Sequence, residues 1–264
     1  MMKLLLLFLS PLLLVAKVHY AKLEPYDTVT IKSAVSAQVV NVALEQEGKN
    51  VNHQRVIHLD DRLDIQNLEN SKRSLELFRQ MYEINRDLQK SLEETAKRQQ
   101  EYYQRISKLA TASKTQKDNA FASYTSAKTQ ALGTKEKVLN LEKQILDMEY
   151  MIAQLEDSID KKSIVLHDQY LYKLVVRKGD FVAPGSSLAT VYDANRAKLI
   201  LYLDPEELEG IENKSVYLDG VKTVYKVDKI WRVADEKFIS SYRAEIYLPA
   251  PQNSFSKLIN VEIK

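Results

Sequence analysis

The sequence predicts an α+β protein of several parts: a small β domain split by a long antiparallel α-helical coiled-coil hairpin, then a small β-barrel. Three observations carry this. A short β motif occurs twice, around Gly48 and around Gly179, and in each copy the glycine is followed three residues later by Val and nine residues later by Ile57 or Leu188. Between the copies lie two stretches without proline, rich in helix formers and apolar at alternating spacings of three and four. After Asp193 the pattern changes to short alternating stretches divided by turn residues. An element inserted into one folding unit must leave and re-enter at neighbouring points, so the middle of the chain is expected to project as an arm.

The chain has 264 residues, a formal charge of +2 and six glycines. A near-neutral balance leaves no electrostatic footprint for nucleic acid. Few glycines beside abundant Leu, Lys, Glu, Gln and Ala suit long helices.

The N-terminus stands apart. Lys3 precedes the apolar run Leu4 to Ala16, broken only by Ser10 and Pro11, and small residues follow at Ala16 and Ala21. This order predicts a secretory signal over residues 1–21, with an uncleaved anchor as the alternative. Thirteen residues at about 1.5 Å each fall short of a hydrocarbon core of about 30 Å. The sequence has no cysteine, which excludes a lipid anchor on an N-terminal Cys, disulfides and thiolate chemistry. An exported chain without cysteine is expected in a bacterial periplasm.

Residues 27–60 form the first half of the split β domain and 163–193 the second. Both copies alternate apolar and polar residues before a glycine. Gly48 and Gly179 fit tight turns, where positive φ excludes most side chains, and Pro184-Gly185 marks a further turn.

The arm covers residues 61–162. Its first seam reads Leu75, Phe78, Tyr82, Asn85, Gln89, Leu92, Ala96, Gln99, Tyr103, Ile106 and Ala110. Its second runs Ala120, Tyr124, Ala127, Ala131, Thr134, Val138, Leu141, Ile145, Met148, Ile152, Leu155 and Ile159. A mean spacing of 3.5 keeps one stripe facing one partner helix. Equal stretches joined by a polar turn near 110–115 make an antiparallel hairpin with helices of about 70 Å. The seam is large near the base and tapers to Ala, Gln and Thr towards the turn, which weakens packing and fixes register.

At the turn, Arg105 and Leu109 share a face of the first helix because they are four apart, and neither is a seam position. Leu109 is thus apolar on the flank of an arm tip. Ser113 and Gln116 have the form of a capping box for the second helix, with Thr115 and Asp118 as a competing cap one turn later.

From about Asp27 onward the chain resembles the periplasmic adaptor, or membrane fusion, proteins, the HlyD-like subunits of tripartite efflux and secretion systems. The tip carries the resemblance, because that family has an Arg-x3-Leu-x6-Ser pattern that docks on a TolC-type outer-membrane channel. Arg105, Leu109 and Ser113 correspond to the three residues, and Ser113-Lys114, Asp118 and Ala120 are spaced like the family's Ser-Lys-x3-Asp-x-Ala. The tip between Leu109 and Ser113 is three residues shorter than the family's. The resemblance implies a lipoyl-like β domain split by the hairpin and a β-barrel after it. It also implies an adaptor between an inner-membrane transporter, of RND or ABC type, and a TolC-like channel. The implied assembly is a homo-oligomeric ring, plausibly a hexamer, in a Gram-negative periplasm and associated with the inner membrane, exporting drugs or other small molecules without a cofactor.

A true lipoyl carrier would need an acceptor lysine in a hairpin between the halves. Here the arm takes that place, with no Asp-Lys-Ala or Met-Lys-Met motif, and the helix dipole explains the nearby Lys161 and Lys162. Residues 194–264 are expected to form the barrel. Lys198–Leu203 is its first strand, Asp204 and Pro205 open a short helix, and strands follow near 216–218, 222–233, 241–248 and 258–264. An enzyme is disfavoured. His53, His58 and His167 fall in β segments without a triad-like arrangement, the spacing of His53 and His58 does not suit two metal ligands on one face, and there is no Gly-rich phosphate loop. The remaining alternative is a structural coiled-coil spacer of the envelope without a transport role.

Overall fold

Period-two alternation puts every second side chain of a strand on one face, and two β units with separate cores follow from it. The computed structural model describes residues 17–235, 238–251 and 255–264. The apolar run over 1–16, on which the signal or anchor expectation rests, lies outside the described residues. Together with a two-helix arm the β units make an α+β architecture.

Two long strands tie the β units together. Strand β1 (Val18–Lys32) runs antiparallel to β8 (Ser187–Leu203), with pairs from Leu23–Leu199 to Lys32–Ser187 and a register shift between Pro25 and Asp27. One end of this ribbon belongs to the first unit and the other to the second. The first unit draws its core from both sides of the arm: Val39, Val51, Val56, Ile57 and Leu59 pack with Leu166, Leu171, Leu174, Val182 and Leu188. Its strands β5 (Ser163–Leu166), β4 (Gln54–Leu59), β2 (Ala37–Val42) and β7 (Phe181–Val182) form a four-stranded sheet in that order. Strand β3 (Lys49–Val51) pairs with β6 (Gln169–Leu174), and β6 with β8. Gly48 and Gly179 have φ of 77° and 96°, the left-handed conformation that their turns require.

The second unit has the sheet order β10 (Val221–Lys222), β9 (Val216–Leu218), β13 (Leu258–Ile263), β1, β8, β12 (Tyr242–Pro249), β11 (Lys229–Ala234). Its two edge strands are consecutive in the chain, joined only by residues 223–228. That connection spans at most about 20 Å, so the sheet has to curl to bring its edges near each other. The sequence suggested a single strand over 222–233. The chain instead breaks between β10 and β11 because it must pass from one edge of the sheet to the other. Asp204 precedes a short 3-10 turn, Pro205–Leu208, and its backbone N–H donates to the Glu207 carboxylate at 2.9 Å.

The N-terminal boundary differs from the sequence expectation. Val18–Lys22 pairs with Leu258–Glu262, Ala21 opposite Ile259, and Ala21 and Leu23 lie in the second core. His19 Nε2 is 2.6 Å from the Glu207 carboxylate. Ala21 packs inside this core, and a cut after it would remove residues that pair with β13.

The arm consists of α1 (Arg62–Lys108) and α2 (Lys114–Lys161), 47 and 48 residues long. Every seam position named from sequence is buried or half-buried except Ala110, which lies in the turn. At the base, Lys162 Nζ and the Ser158 hydroxyl both reach Asp64 Oδ2, each at 2.8 Å. Desolvation pushes the Asp64 carboxyl up, but the hydrogen bonds from Lys162 and Ser158 outweigh it and hold Asp64 below its ordinary value. Beside it, the Arg62 guanidinium donates twice to Asp60, at 2.9 and 2.8 Å, and lowers that carboxyl to about 2.

Leu199→Ala, at a fully buried position, should lower unfolding free energy by about 2–5 kcal/mol, read from the guanidinium midpoint. Leu63→Ala, in a side chain 74% exposed, should stay within about 0.5 kcal/mol. A depressed carboxylate contributes stability above its unfolded pKa, about 3.9, and loses it as pH falls through the lower folded value. Asp64→Asn should therefore flatten the acid limb of the stability curve and leave its slope between pH 6 and 8 unchanged.

Candidate functional site: the hairpin tip

The arm places a five-residue turn, Leu109 to Ser113, at its far end. Helix α1 stops because Leu109 takes an extended conformation (φ −77°, ψ 122°), with its N–H still donating to Ile106 O at 3.2 Å. Helix α2 starts on Ser113. Its hydroxyl accepts from Gln116 N at 3.2 Å, and its own N–H donates to Gln116 Oε1 at 2.8 Å. These reciprocal bonds satisfy two donors of the first turn, and the competing cap at Thr115 does not form. The Ser113 hydroxyl is thus engaged in holding the turn.

Arg105 sits in the last turn of α1, exposed, and makes no ion pair or hydrogen bond among the described residues. Leu109 is 48% exposed. Both lie on one flank of α1, and Tyr102, three residues before Arg105, extends the same flank with half its surface exposed. Sequence reading passed over Tyr102 although its spacing to Arg105 and Leu109 is the helical three-then-four. It also missed Phe121, one position off the seam, whose ring centroid is 5.3 Å from that of Tyr103; Tyr103 in turn stacks on Tyr124 at 6.2 Å. The seam does not simply taper. Small and amide side chains thin its middle, and this aromatic group fills it again just below the tip. An exposed cation and an exposed leucine on a rigid, aromatic-backed turn can bind a partner by one polar and one apolar contact.

The other sequence candidates are placed differently. His53 and His167 lie at turns rather than within strands, with their rings edge to face at 4.6 Å, and His58 on β4 bonds Asp61 at 2.9 Å. Among the described residues no group of three or more His, Asp or Glu is arranged to hold a metal ion. Lys161 pairs with Asp157 and Lys162 with Asp64, so both lysines at the end of α2 have structural partners. No helix among the described residues is long and apolar enough to cross a membrane.

The fold is that of the membrane fusion proteins. The chain aligns over 94% of its length with MacA from Actinobacillus actinomycetemcomitans, at TM-score 0.72 and 14% identity over 78% of that chain. The membrane fusion protein Spr0693 from Streptococcus pneumoniae R6 matches at TM-score 0.60 and 8% identity, over 94% of this chain and 99% of that one. A MacA–MexA chimera carrying the Pseudomonas aeruginosa MexA α-hairpin domain matches at 0.53 and 16%, over 94% and 80%. No family model matches the sequence, and no curated relative is similar to it.

Because the Ser113 hydroxyl caps α2, Ser113→Ala should cost about 1 kcal/mol of local stability, seen as faster amide exchange at residues 115–117. Arg105→Ala should leave those exchange rates unchanged.

Proposed function

We propose that the chain is a periplasmic adaptor subunit that links an inner-membrane transporter to a TolC-type outer-membrane channel for export of drugs or other small molecules. The observation that carries this reading is the tip: an unpaired Arg105 and a half-exposed Leu109 on one flank, at the end of an arm about 70 Å long. Tip residues at that distance gain nothing for the folding of the β units, so their exposure fits a partner beyond the arm. The likeness of the whole chain to MacA and Spr0693 supports the same assignment.

In this reading Arg105 supplies a charge-assisted hydrogen bond to the channel's helical tips, and Leu109 the apolar contact beside it. Ser113 serves by fixing the turn from which both project. The first β unit is lipoyl-like and carries no cofactor, and the curled second unit is the β-barrel that faces the transporter, of RND or ABC type. Copies assemble as a ring, plausibly of six, in a Gram-negative periplasm at the inner membrane. The protein catalyses no reaction, and transport energy comes from the pump.

Arg105→Asp with Leu109→Ala should weaken channel docking by about 2 kcal/mol or more, about 30-fold, and abolish export while the far-UV spectrum and unfolding midpoint stay unchanged. Cross-linking from Thr111→Cys to the channel should disappear in the same background. Full export by the double variant would leave the arm as a structural spacer.

A further inference from the structure

The four histidines divide into two kinds. His19 is bonded to Glu207 and His58 to Asp61. His53 and His167 are exposed and make no hydrogen bond or ion pair among the described residues. What each has instead is the other's ring, edge to face, with centroids 4.6 Å apart. Their nitrogen lone pairs are open to a ligand.

The backbone sets this meeting. Strand β3 pairs with β6 from Lys49–Leu171 to Val51–Gln169, and β4 pairs with β5 from Gln54–Leu166 onward. The register runs unbroken from Lys49 to Arg55, so the corner between the two ladders puts Asn52 opposite Asp168 and His53 opposite His167. Each chain bends there through one left-handed residue, His53 at φ 49° and Asp168 at φ 50°, a conformation uncommon outside glycine. Residues directly opposite each other in an antiparallel pair have Cβ atoms about 4.5–5.5 Å apart, which holds the two imidazoles within reach of each other. Spacing along the sequence could not show this, because the partner of His53 lies beyond the arm.

Imidazole nitrogens suit Zn²⁺, Cu²⁺ and Ni²⁺. Two nitrogens bound to one ion at about 2.0–2.1 Å put their ring centres roughly 4.5–5 Å apart, and the separation here is 4.6 Å. Both rings are exposed, so rotation of one about χ1 and χ2 is unobstructed by a core and can aim a nitrogen of each at a common point. Two protein ligands leave coordination positions for water. The Asp168 carboxylate has no partner among the described residues and is free to hold such a water.

We propose that His53 and His167 form a site for one divalent transition-metal ion, with Zn²⁺ as the probe, that staples the two halves of the split β unit. His53 precedes the arm and His167 follows it. An ion held by both therefore ties the halves at the end of β4 and β5 away from the arm. The bonds of Lys162 and Ser158 to Asp64 tie them at the other end. The ion is structural and takes part in no reaction, and the inference does not depend on the channel contact.

Tag-free, full-length protein stripped with a chelator and titrated with Zn²⁺ should bind one ion per chain by calorimetry. Its thermal unfolding midpoint should rise with Zn²⁺ and return with excess chelator. His53→Gln and His167→Gln should each weaken binding by about tenfold or more and remove the rise. Both side chains are exposed, so the metal-free midpoint and circular dichroism of each variant should match the parent. Light scattering should give one mass with and without Zn²⁺. No binding by the parent chain would overturn the proposal, as would unchanged affinity in both variants. Weakening in one variant alone would reduce the site to a single histidine and overturn the staple. A mass that doubles with half an ion per chain would overturn it too, since the ion would then join two copies.

Discussion

The pairing of β4 with β5 is the constraint on which the rest of the structure depends. The chain leaves the first β unit after Leu59 and returns at Ser163 in the neighbouring strand, with Ile57 opposite Ile164 and His58 opposite Ser163. Neighbouring strands are about 4.8 Å apart and packed helices about 8–10 Å, so two helices that start and finish on adjacent strands need to splay by only a few ångströms to lie side by side. A hundred intervening residues can satisfy that closure only by going out and coming back over equal lengths. The bonds of Lys162 and Ser158 to Asp64 tie the point of return to the start of α1, and the first core draws on both halves of the split unit.

The arm is held mainly by its seam, with ion pairs contributing at the edges. Lys72–Glu156 and Arg79–Glu149 join exposed side chains, and such pairs are worth little individually. They mark the register that the seam imposes, since both join levels equally far from the turn. The middle of the seam, with Gln89, Ala96 and Ala131, gives up packing area, and the Tyr103, Phe121 and Tyr124 group restores it beneath the tip. The larger side chains and the named contacts thus lie at the two ends, where the arm meets the β domain and where the turn presents Arg105 and Leu109.

Much of this was legible in the sequence because coiled-coil periodicity is a local signal. Each seam residue declares itself by its distance to the next, and the capping box at Ser113 and Gln116 is contained within four residues. Tyr102 carried only its helical spacing to Arg105 and Leu109, and Phe121 was not legible at all, since it lies one step off the seam, where an apolar residue has no local reason to stand out. The strand before residue 27 was hidden for a related reason. His19 and Ala21 look like the end of a leader until they are seen paired with β13, which lies more than two hundred residues away in the chain.

By itself the sequence determined the order of parts: a β motif interrupted by a hairpin of two equal helices, a turn carrying Arg105 and Leu109, and a run of short strands. Tertiary structure alone decided that β1 and β8 run through both β units and that the chain between Lys222 and Lys229 crosses from one edge of a curled sheet to the other. The division follows from the range of the forces. Helical periodicity, turns and caps are settled within a few residues, whereas strand pairing and interhelical register join residues far apart in the chain, and a single sequence carries no local record of which distant partner it will meet.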